Sequence, residues 1–273
     1  MPILLIKYKG KVRILSRTGL LKSIQIAGAF YDIASRISNE IFNKLYADPL
    51  FSVSPLLENY EDEPLLIINN LFTVFPQLKN SKIEVDRKKL NEIRLKLSQV
   101  DDINTVIKDI LINKEDYSVK VINRISYNFL AKKLFYYEVY EYKNPFLIIS
   151  CSQNNRENIY EILSHLTYEG IGADKSVGTG ILPRFEIQDL TFKKSNIRIN
   201  LSSYIPTSSS TEVFSRIEKY APYSTAANYD VFLSYSPFGI VKIDSDVDGL
   251  VLKSNYALKV YNFRSILLPI GGV

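Results

Sequence analysis

Apolar positions in the first part of the chain follow two periods, one typical of buried strands and the other of amphipathic helices. Residues 2–8 form a nearly continuous apolar run that predicts a buried strand. From Lys22 to Leu45 apolar side chains return every three or four positions, which predicts one helix that ends at Asp48-Pro49. Leu65–Ile68 predicts a short further strand.

A charged segment at Lys79–Asn113 carries apolar residues at helical spacing. Asp101-Asp102 divides it into two predicted helices, because aspartate favours helix caps over helix interiors. We interpret the segment as an insertion between the first helix and the next strand. Three strands are predicted after it, and the last is a continuous apolar run typical of a central strand: Val119–Ile125, Lys133–Tyr142 and Phe146–Cys151.

A helix, a glycine-rich loop and a strand complete this half of the chain, at Asn155–Leu166, Gly170–Gly180 and Ile181–Ile187. The order strand, helix, insertion, strand, strand, helix, strand is the β-α-β-β-α-β pattern of the ferredoxin-like fold. The same fold carries the RRM module, which binds RNA on its sheet.

The predicted fold class is therefore α+β, with two domains. A ferredoxin-like (RRM-like) N-terminal domain spans residues 1–190 and includes the helical insertion at about 50–115. Residues 191–273 alternate apolar and polar positions in several places, which predicts a smaller and mostly β domain. We interpret this second domain as a degraded ferredoxin-like unit.

Composition narrows the class of protein. Thirty-four Lys and Arg against 29 Asp and Glu give a net charge of +5, which fits a polyanionic partner without requiring one. Cys151 is the only cysteine, so an intramolecular disulfide and a cysteine-based zinc site are excluded. We find neither a signal-peptide pattern nor an apolar run of membrane-spanning length, and therefore expect a cytoplasmic protein without a membrane partner.

The segment Glu169–Gly180 reads EGIGADKSVGTG and holds four of the eleven glycines. Glycine permits positive φ and close backbone approach, and consecutive N–H groups in such a loop can bind an anion. Lys175 adds a charge and Ser176 a hydroxyl donor, which suits a phosphate. A P-loop is excluded because Asp174 precedes Lys175, and a dinucleotide fingerprint because Lys175 replaces its third glycine. A structural turn remains the alternative.

This loop, placed between a helix and a strand, resembles the glycine-rich loop of the RAMP superfamily of CRISPR proteins. It is most similar to that of the subunits that hold the 5′ handle of the guide RNA in type III-A (Csm) complexes. The loop departs from the family pattern at Ala173, where a further glycine is common, and the first helix has Ile26-Ala27-Gly28 where Ser-Asp-Thr is usual. Looser similarity extends over most of the chain, at 121–124, 134–138, 201–206, 229–232, 239 and 270–272.

The resemblance implies a non-catalytic, RNA-binding subunit of a type III CRISPR ribonucleoprotein that contributes to antiviral defence. The implied partners are the 5′ handle of the guide RNA (crRNA), a large polymerase-like subunit and the backbone RAMP subunit, and no cofactor is implied. Lys175 is expected to act as a point charge on a phosphate, and Gly178 to allow close approach. The candidate RNA-binding residues are Gly170, Gly172, Asp174, Lys175, Ser176, Gly178, Gly180, Arg124, Arg184 and Lys22.

His165, the only histidine, leaves a second function open. RAMP proteins that cleave guide RNA precursors often use a histidine as general base, so the alternative is a RAMP endoribonuclease. No lysine or tyrosine stands at a known catalytic spacing from His165, and about ninety residues follow the loop, which in the cleaving relatives lies near the C-terminus. We therefore predict no catalytic residue. A third hypothesis is a purely architectural subunit that makes few contacts with RNA.

Three groups of carboxylates raise the question of a metal ion, at Glu61–Glu63, at Asp101-Asp102 and at the alternating Asp244, Asp246 and Asp248. Acidic runs in polar segments are usually solvated, and the alternating set lacks the other ligands of a calcium-binding loop. We therefore predict no metal site.

Overall fold

The computed structural model describes residues 2–15, 21–58, 120–128, 133–172, 179–191, 196–202, 205–207, 212–214, 217–220, 232–235, 239–249, 251–253, 260–262 and 264–269. The predicted strand at 65–68, the predicted helices at 79–113 and residues 173–178 of the glycine loop lie outside the described residues. None of the described helices has both the length and the apolar character needed to cross a membrane.

A first antiparallel sheet is built around β1 (Ile3–Tyr8), which confirms the predicted N-terminal strand. β1 pairs on one side with β7 (Pro145–Ser150) and on the other with β8 (Phe185–Leu190). β7 pairs further with two short strands, β3 (Ser52–Val53) and β4 (Leu57–Glu58). The order across the sheet is therefore β3–β7–β1–β8.

Three helices enclose the main hydrophobic core against this sheet: α1 (Ser23–Ile37), α2 (Asn39–Ala47) and α3 (Arg156–Glu169). The single helix predicted over residues 22–45 is wrong, because Ser38 adopts an extended conformation with φ −162° and separates α1 from α2. The Ser38 hydroxyl accepts a hydrogen bond from the Ile41 N–H at 3.1 Å and so caps α2. A polar residue that caps well thus interrupts an otherwise continuous apolar stripe.

A second sheet contains β2 (Lys11–Leu15), β5 (Lys120–Asn128) and β6 (Lys133–Lys143), in the order β2–β6–β5. The predicted strands at 119–125 and 133–142 are thus confirmed as strands, but β5 pairs with β6 and β6 pairs with β2, so neither pairs with β1. The sequence pattern did not predict β2, which is short and follows β1 after only Lys9 and Gly10. The last predicted strand, 181–187, begins later, at Phe185.

The two sheets meet where the chain crosses from one to the other. β1 leads into β2 through Gly10, whose φ is +128°, and β6 leads into β7 through Asn144, whose φ is +42°. The two turns are hydrogen-bonded to each other: the Gly10 N–H donates to Asn144 Oδ1 at 2.9 Å, and the Asn144 N–H donates to the Gly10 carbonyl at 2.7 Å. This crossing fixes the position of β2 beside the start of β8.

The described part of the second half is antiparallel β structure, as the alternation predicts. Its strands are β9 (Ile197–Asn200), β10 (Glu212–Phe214), β11 (Ile217–Tyr220), β12 (Phe232–Tyr235), β13 (Ile240–Lys242), β14 (Val247–Asp248), β15 (Val251–Lys253), β16 (Val260–Asn262) and β17 (Ser265–Pro269). The largest sheet among them has the order β10–β13–β9–β17–β14, and two hairpins, β11–β12 and β15–β16, accompany it. The Ser52 hydroxyl of β3 donates to the Arg264 carbonyl at 2.7 Å and so connects the two halves.

Asp48, a buried carboxylate, joins the end of α2 to the start of α3. Its Oδ2 accepts hydrogen bonds from the Ser152 N–H at 2.8 Å, the Ser152 hydroxyl at 2.9 Å and the Asn155 amide at 2.8 Å. Its Oδ1 accepts from the Leu50 N–H at 2.9 Å. Burial alone would raise the pKa of Asp48, but these hydrogen bonds favour the ionised form more strongly and hold the pKa below its ordinary value.

We expect Asp48→Ala to lower the free energy of unfolding at pH 7 by about 2–4 kcal/mol, because several buried donors lose their acceptor. A depressed folded-state pKa contributes stability above the unfolded value near 4, and this contribution is lost as the pH falls through the folded value. The difference between wild type and variant should therefore shrink below about pH 4. Urea unfolding of both proteins at several pH values measures this difference in the free energy of unfolding.

Asp32→Ala is the matched control, because Asp32 forms an exposed ion pair with Arg36 within α1. Such a pair contributes under about 1 kcal/mol. Equal losses of stability in the two variants at pH 7 would contradict the role given to Asp48.

Candidate nucleic-acid interface

The two ends of the glycine-rich loop meet in a narrow closure, which we call the loop neck and define as residues 170–172 and 179–180. Gly170 ends α3: its N–H donates to the Leu166 carbonyl at 2.8 Å, and its φ is +73°. The Ile171 N–H then donates to the Gly180 carbonyl at 2.7 Å. This second hydrogen bond brings residues nine positions apart into direct backbone contact.

Glycine is required at both sides of this closure. A Cβ on Gly170 would lie 2.6 Å from the Gly180 carbonyl oxygen, and a Cβ on Gly180 would lie 1.8 Å from the Ile171 carbonyl oxygen. Gly180 also has a φ of +74°, a conformation that L side chains rarely adopt. Gly172 differs, because its φ is +93° but a Cβ there would meet no atom within 4 Å. Close approach therefore explains Gly170 and Gly180, and backbone conformation alone explains Gly172.

The loop neck is anchored to the second sheet. The Gly180 N–H donates to the carbonyl of Arg13 in β2 at 2.5 Å. Ile171 and Thr179, which lie in the neck, are buried. The neck is thus a fixed part of the folded core, and residues 173–178 connect its two ends.

Exposed cations lie on one side of the neck because β2 passes beside it. Lys11 and Arg13 alternate with the buried Val12 and Ile14, so both basic side chains lie on the exposed face of β2. The chain after the neck runs along the start of β2, where the Lys9 N–H donates to the Arg184 carbonyl at 3.1 Å. We call the basic strip the set Lys9, Lys11, Arg13, Lys143 and Arg184, all of which are exposed.

Glu141 of β6 lies beneath the basic strip and is buried. Lys11 Nζ lies 3.0 Å from its Oε1, and Arg13 Nε lies 2.9 Å from its Oε2. The hydrogen bonds from Lys11 and Arg13 hold the pKa of Glu141 below its ordinary value. Glu141 therefore fixes the two β2 cations while leaving their side chains 57% and 43% exposed.

The structure brings together some of the predicted site residues and separates others. Gly170, Gly172 and Gly180 form the neck, and Arg184 lies beside it in the basic strip. Arg124 lies away from the basic strip. It pairs with Tyr137 in the β5–β6 register, and Glu141, which lies beneath the strip, is four residues further along β6, or about 13 Å. Lys22 directly precedes α1 as its N-cap residue, and its N–H donates to Gln25 Oε1 at 2.9 Å. Asp174, Lys175, Ser176 and Gly178 lie outside the described residues.

The sequence-based prediction missed Lys9, Lys11, Arg13 and Lys143. A signal for three of them was present, because Lys9, Lys11 and Arg13 alternate with other residues as the exposed face of a strand does. Nothing in the sequence indicated that this strand lies beside a loop about 170 residues later, since the pairing depends on the crossing at Gly10 and Asn144.

His165 lies on the exposed face of α3, five residues before Gly170. Within the described ranges, no hydrogen bond or ion pair joins it to a side chain that could act as its acid or base partner.

Two of the alternating aspartates have partners of their own. Asp246 pairs with Arg198, and Asp248 accepts a hydrogen bond from Thr207. In the part of the chain that the structure describes, no group of three or more His, Cys, Asp or Glu residues is placed to hold a metal ion.

No protein-family model matches the sequence, and no curated protein matches it. Solved structures match over almost the full chain. A chain of the Csm3–Csm4 subcomplex in the type III-A CRISPR-Cas interference complex has a TM-score of 0.55 at 16% identity, covering 98% of this chain and 99% of that chain.

Chains of the Csm1–Csm4 cassette match similarly. The complex with AMPPNP gives a TM-score of 0.54 at 11% identity, covering 99% of this chain and 98% of that chain. The complex with one ATP gives a TM-score of 0.54 at 13% identity, covering 100% of this chain and 98% of that chain. Identities this low show the fold alone. The chain has the fold of these type III-A CRISPR chains, and the resemblance found in the sequence is confirmed at that level.

We expect Gly180→Ala and Gly172→Ala to differ sharply. The positive φ should cost about 1–2 kcal/mol of stability in each variant. Gly180→Ala should cost about 1–3 kcal/mol more, because its Cβ would collide with the Ile171 carbonyl and open the neck. Chemical unfolding of both variants measures the difference, and equal losses would show that the neck closure does not constrain position 180.

Proposed function

We propose that the chain is a RAMP subunit of a type III CRISPR effector complex and binds the 5′ handle of the guide RNA through its glycine-rich loop. The observation that carries this proposal is the loop neck: two glycines close it, β2 anchors it, and the basic strip lies beside it on the β2 side. The fold likeness to chains of Csm3–Csm4 and Csm1–Csm4 assemblies supports the same function.

The proposed partners follow from those assemblies. Csm4 is the subunit named in both, so the chain would occupy the Csm4 position. It would then contact a Csm3-type backbone subunit and a Csm1-type subunit, the latter corresponding to the large polymerase-like partner expected from the sequence.

The first half would be ferredoxin-like in this proposal. α1 follows β1 and precedes β3, α3 follows β7 and precedes β8, and the sheet order is β3–β7–β1–β8 with antiparallel neighbours. Each helix then connects two parallel strands that flank a third strand, as in a split β-α-β unit. β2, β5 and β6 form an additional sheet on this core, and β2 would bring its cations to the RNA-binding loop.

The proposed grip on RNA combines fixed backbone donors with local charge. The closed neck holds the ends of the loop, so that its N–H groups, Lys175 and Ser176 can converge on a phosphate. Arg13 and Lys11 add charge-assisted contacts beside it, and Glu141 limits their rotamers before RNA binds. Since the net charge is only +5, most of the binding free energy would come from this local arrangement and from the partner subunits.

We expect Lys175→Ala and Arg13→Gln each to weaken retention of guide RNA by the assembled complex. Each variant removes one phosphate contact, so the slope of log affinity against log salt should fall by about 0.7 for single-stranded RNA. Glutamine at position 13 keeps a donor for Glu141, and the backbone bond to Gly180 is independent of the side chain. Guide occupancy across a salt series measures the effect.

Lys44→Ala is the control, because Lys44 forms an exposed ion pair with Glu40 on α2 and lies outside the basic strip. It should leave both occupancy and salt slope unchanged. The handle-binding proposal is wrong if both Lys175→Ala and Arg13→Gln behave like this control.

We further propose that the subunit is not a nuclease, and therefore expect labelled repeat RNA to stay intact with the purified chain, with or without EDTA. The reason is that His165 is exposed and no acid or base partner is described beside it. Gel analysis of the products tests this. A defined cut that His165→Ala abolishes would favour the alternative, a RAMP endoribonuclease that processes guide RNA precursors.

A further inference from the structure

Two exposed apolar side chains flank the loop neck. Tyr168, in the last turn of α3, is 89% exposed, and Ile181, which directly follows Gly180, is 49% exposed. The backbone near Tyr168 lies close to that of Ile181, since a Cβ added to Gly170 would lie 3.3 Å from the Ile181 nitrogen. Tyr160 is the other large apolar residue with high exposure among those described, but its ring packs edge-on against Phe185 at 5.6 Å.

The last turn of α3 holds Tyr168 in a fixed place. Arg36 of α1 forms an ion pair of 2.6 Å with Glu169, the residue between Tyr168 and Gly170. The Gly170 N–H completes the helix through its bond to the Leu166 carbonyl. A large ring on a fixed helix end, about 3 Å along the axis from the neck, can bind a flat ligand at little entropic cost.

We propose that Tyr168, with Ile181 on the other side of the neck, is a platform on which a nucleobase next to the gripped phosphate stacks. The inference rests on the proposed RNA-binding function and extends it from the RNA backbone to one base. Aromatic side chains stack on bases of any identity, whereas cations track the phosphates. The neck places both kinds of group around one loop, with Tyr168 on the helix side and the basic strip on the β2 side.

A base is favoured over a protein partner because of the surroundings. Exposed side chains next to the platform include the cations of the basic strip, which complement RNA. Two apolar side chains bury far less area than the roughly 800 Å² per partner that a stable protein interface needs. A single base, in contrast, covers one tyrosine ring and its neighbour.

The test compares a short oligouridylate with an abasic ribose-phosphate oligomer of the same length, each labelled with a fluorophore, at low salt. Anisotropy of the full chain should show tighter binding of the oligouridylate. Tyr168→Ala should weaken that binding roughly fivefold or more and leave the abasic oligomer unaffected. The salt slope should not change, because no phosphate contact is removed. Tyr168→Phe should retain wild-type affinity.

Tyr160→Ala is the matched control: it removes another exposed tyrosine from α3, about two turns before Tyr168, and should keep the preference for bases. If wild type binds neither oligomer, the proposed function fails and the platform with it. If wild type binds RNA but Tyr168→Ala does not weaken the oligouridylate selectively, only the platform is wrong. Loss of assembly with partner subunits at unchanged RNA affinity would instead assign Tyr168 to a protein contact.

Discussion

The hydrogen bond between the Ile171 N–H and the Gly180 carbonyl, at 2.7 Å, is the contact on which the candidate site depends. It forms only because neither Gly170 nor Gly180 has a Cβ, since the added atom would lie 2.6 Å and 1.8 Å from a backbone oxygen. It converts ten residues between a helix and a strand into a loop with a closed base. A closed base restricts the loop before it binds, so less conformational entropy is lost on binding. This favours recognition of a flexible phosphate backbone.

The position of this loop depends on β2. Because the chain crosses between sheets at Gly10 and again at Asn144, β2 comes to lie against the neck, and the Arg13 carbonyl accepts the Gly180 N–H. The side chain of the same residue forms an ion pair with the buried Glu141. One short strand therefore supplies the anchor of the loop, two of its neighbouring cations and the partners of the buried carboxylate.

Sequence patterns predicted the elements whose formation depends on interactions between residues close together in the chain. The strand at residues 3–8, the helix that became α3 and the glycine loop follow from apolar periodicity and from backbone conformations that only glycine adopts readily. The break at Ser38 was missed because the apolar stripe continues across it. β2 and its basic residues were missed for another reason, since a five-residue strand becomes recognisable only through pairing with a strand about 130 residues later.

The same constraints explain how a full-length fold likeness can persist at 11–16% identity. Burial requires only apolar residues of suitable volume, so most core positions can change without changing the fold. The neck is more restrictive, because two positions tolerate only glycine, but it occupies few residues and adds little to overall identity. A function carried by a backbone closure and a few cations therefore leaves a strong local signal in the loop and a weak signal elsewhere. In a chain of this kind, the geometry at the neck supports the proposed RNA binding more directly than the overall identity does, since low identity reports only the shared fold.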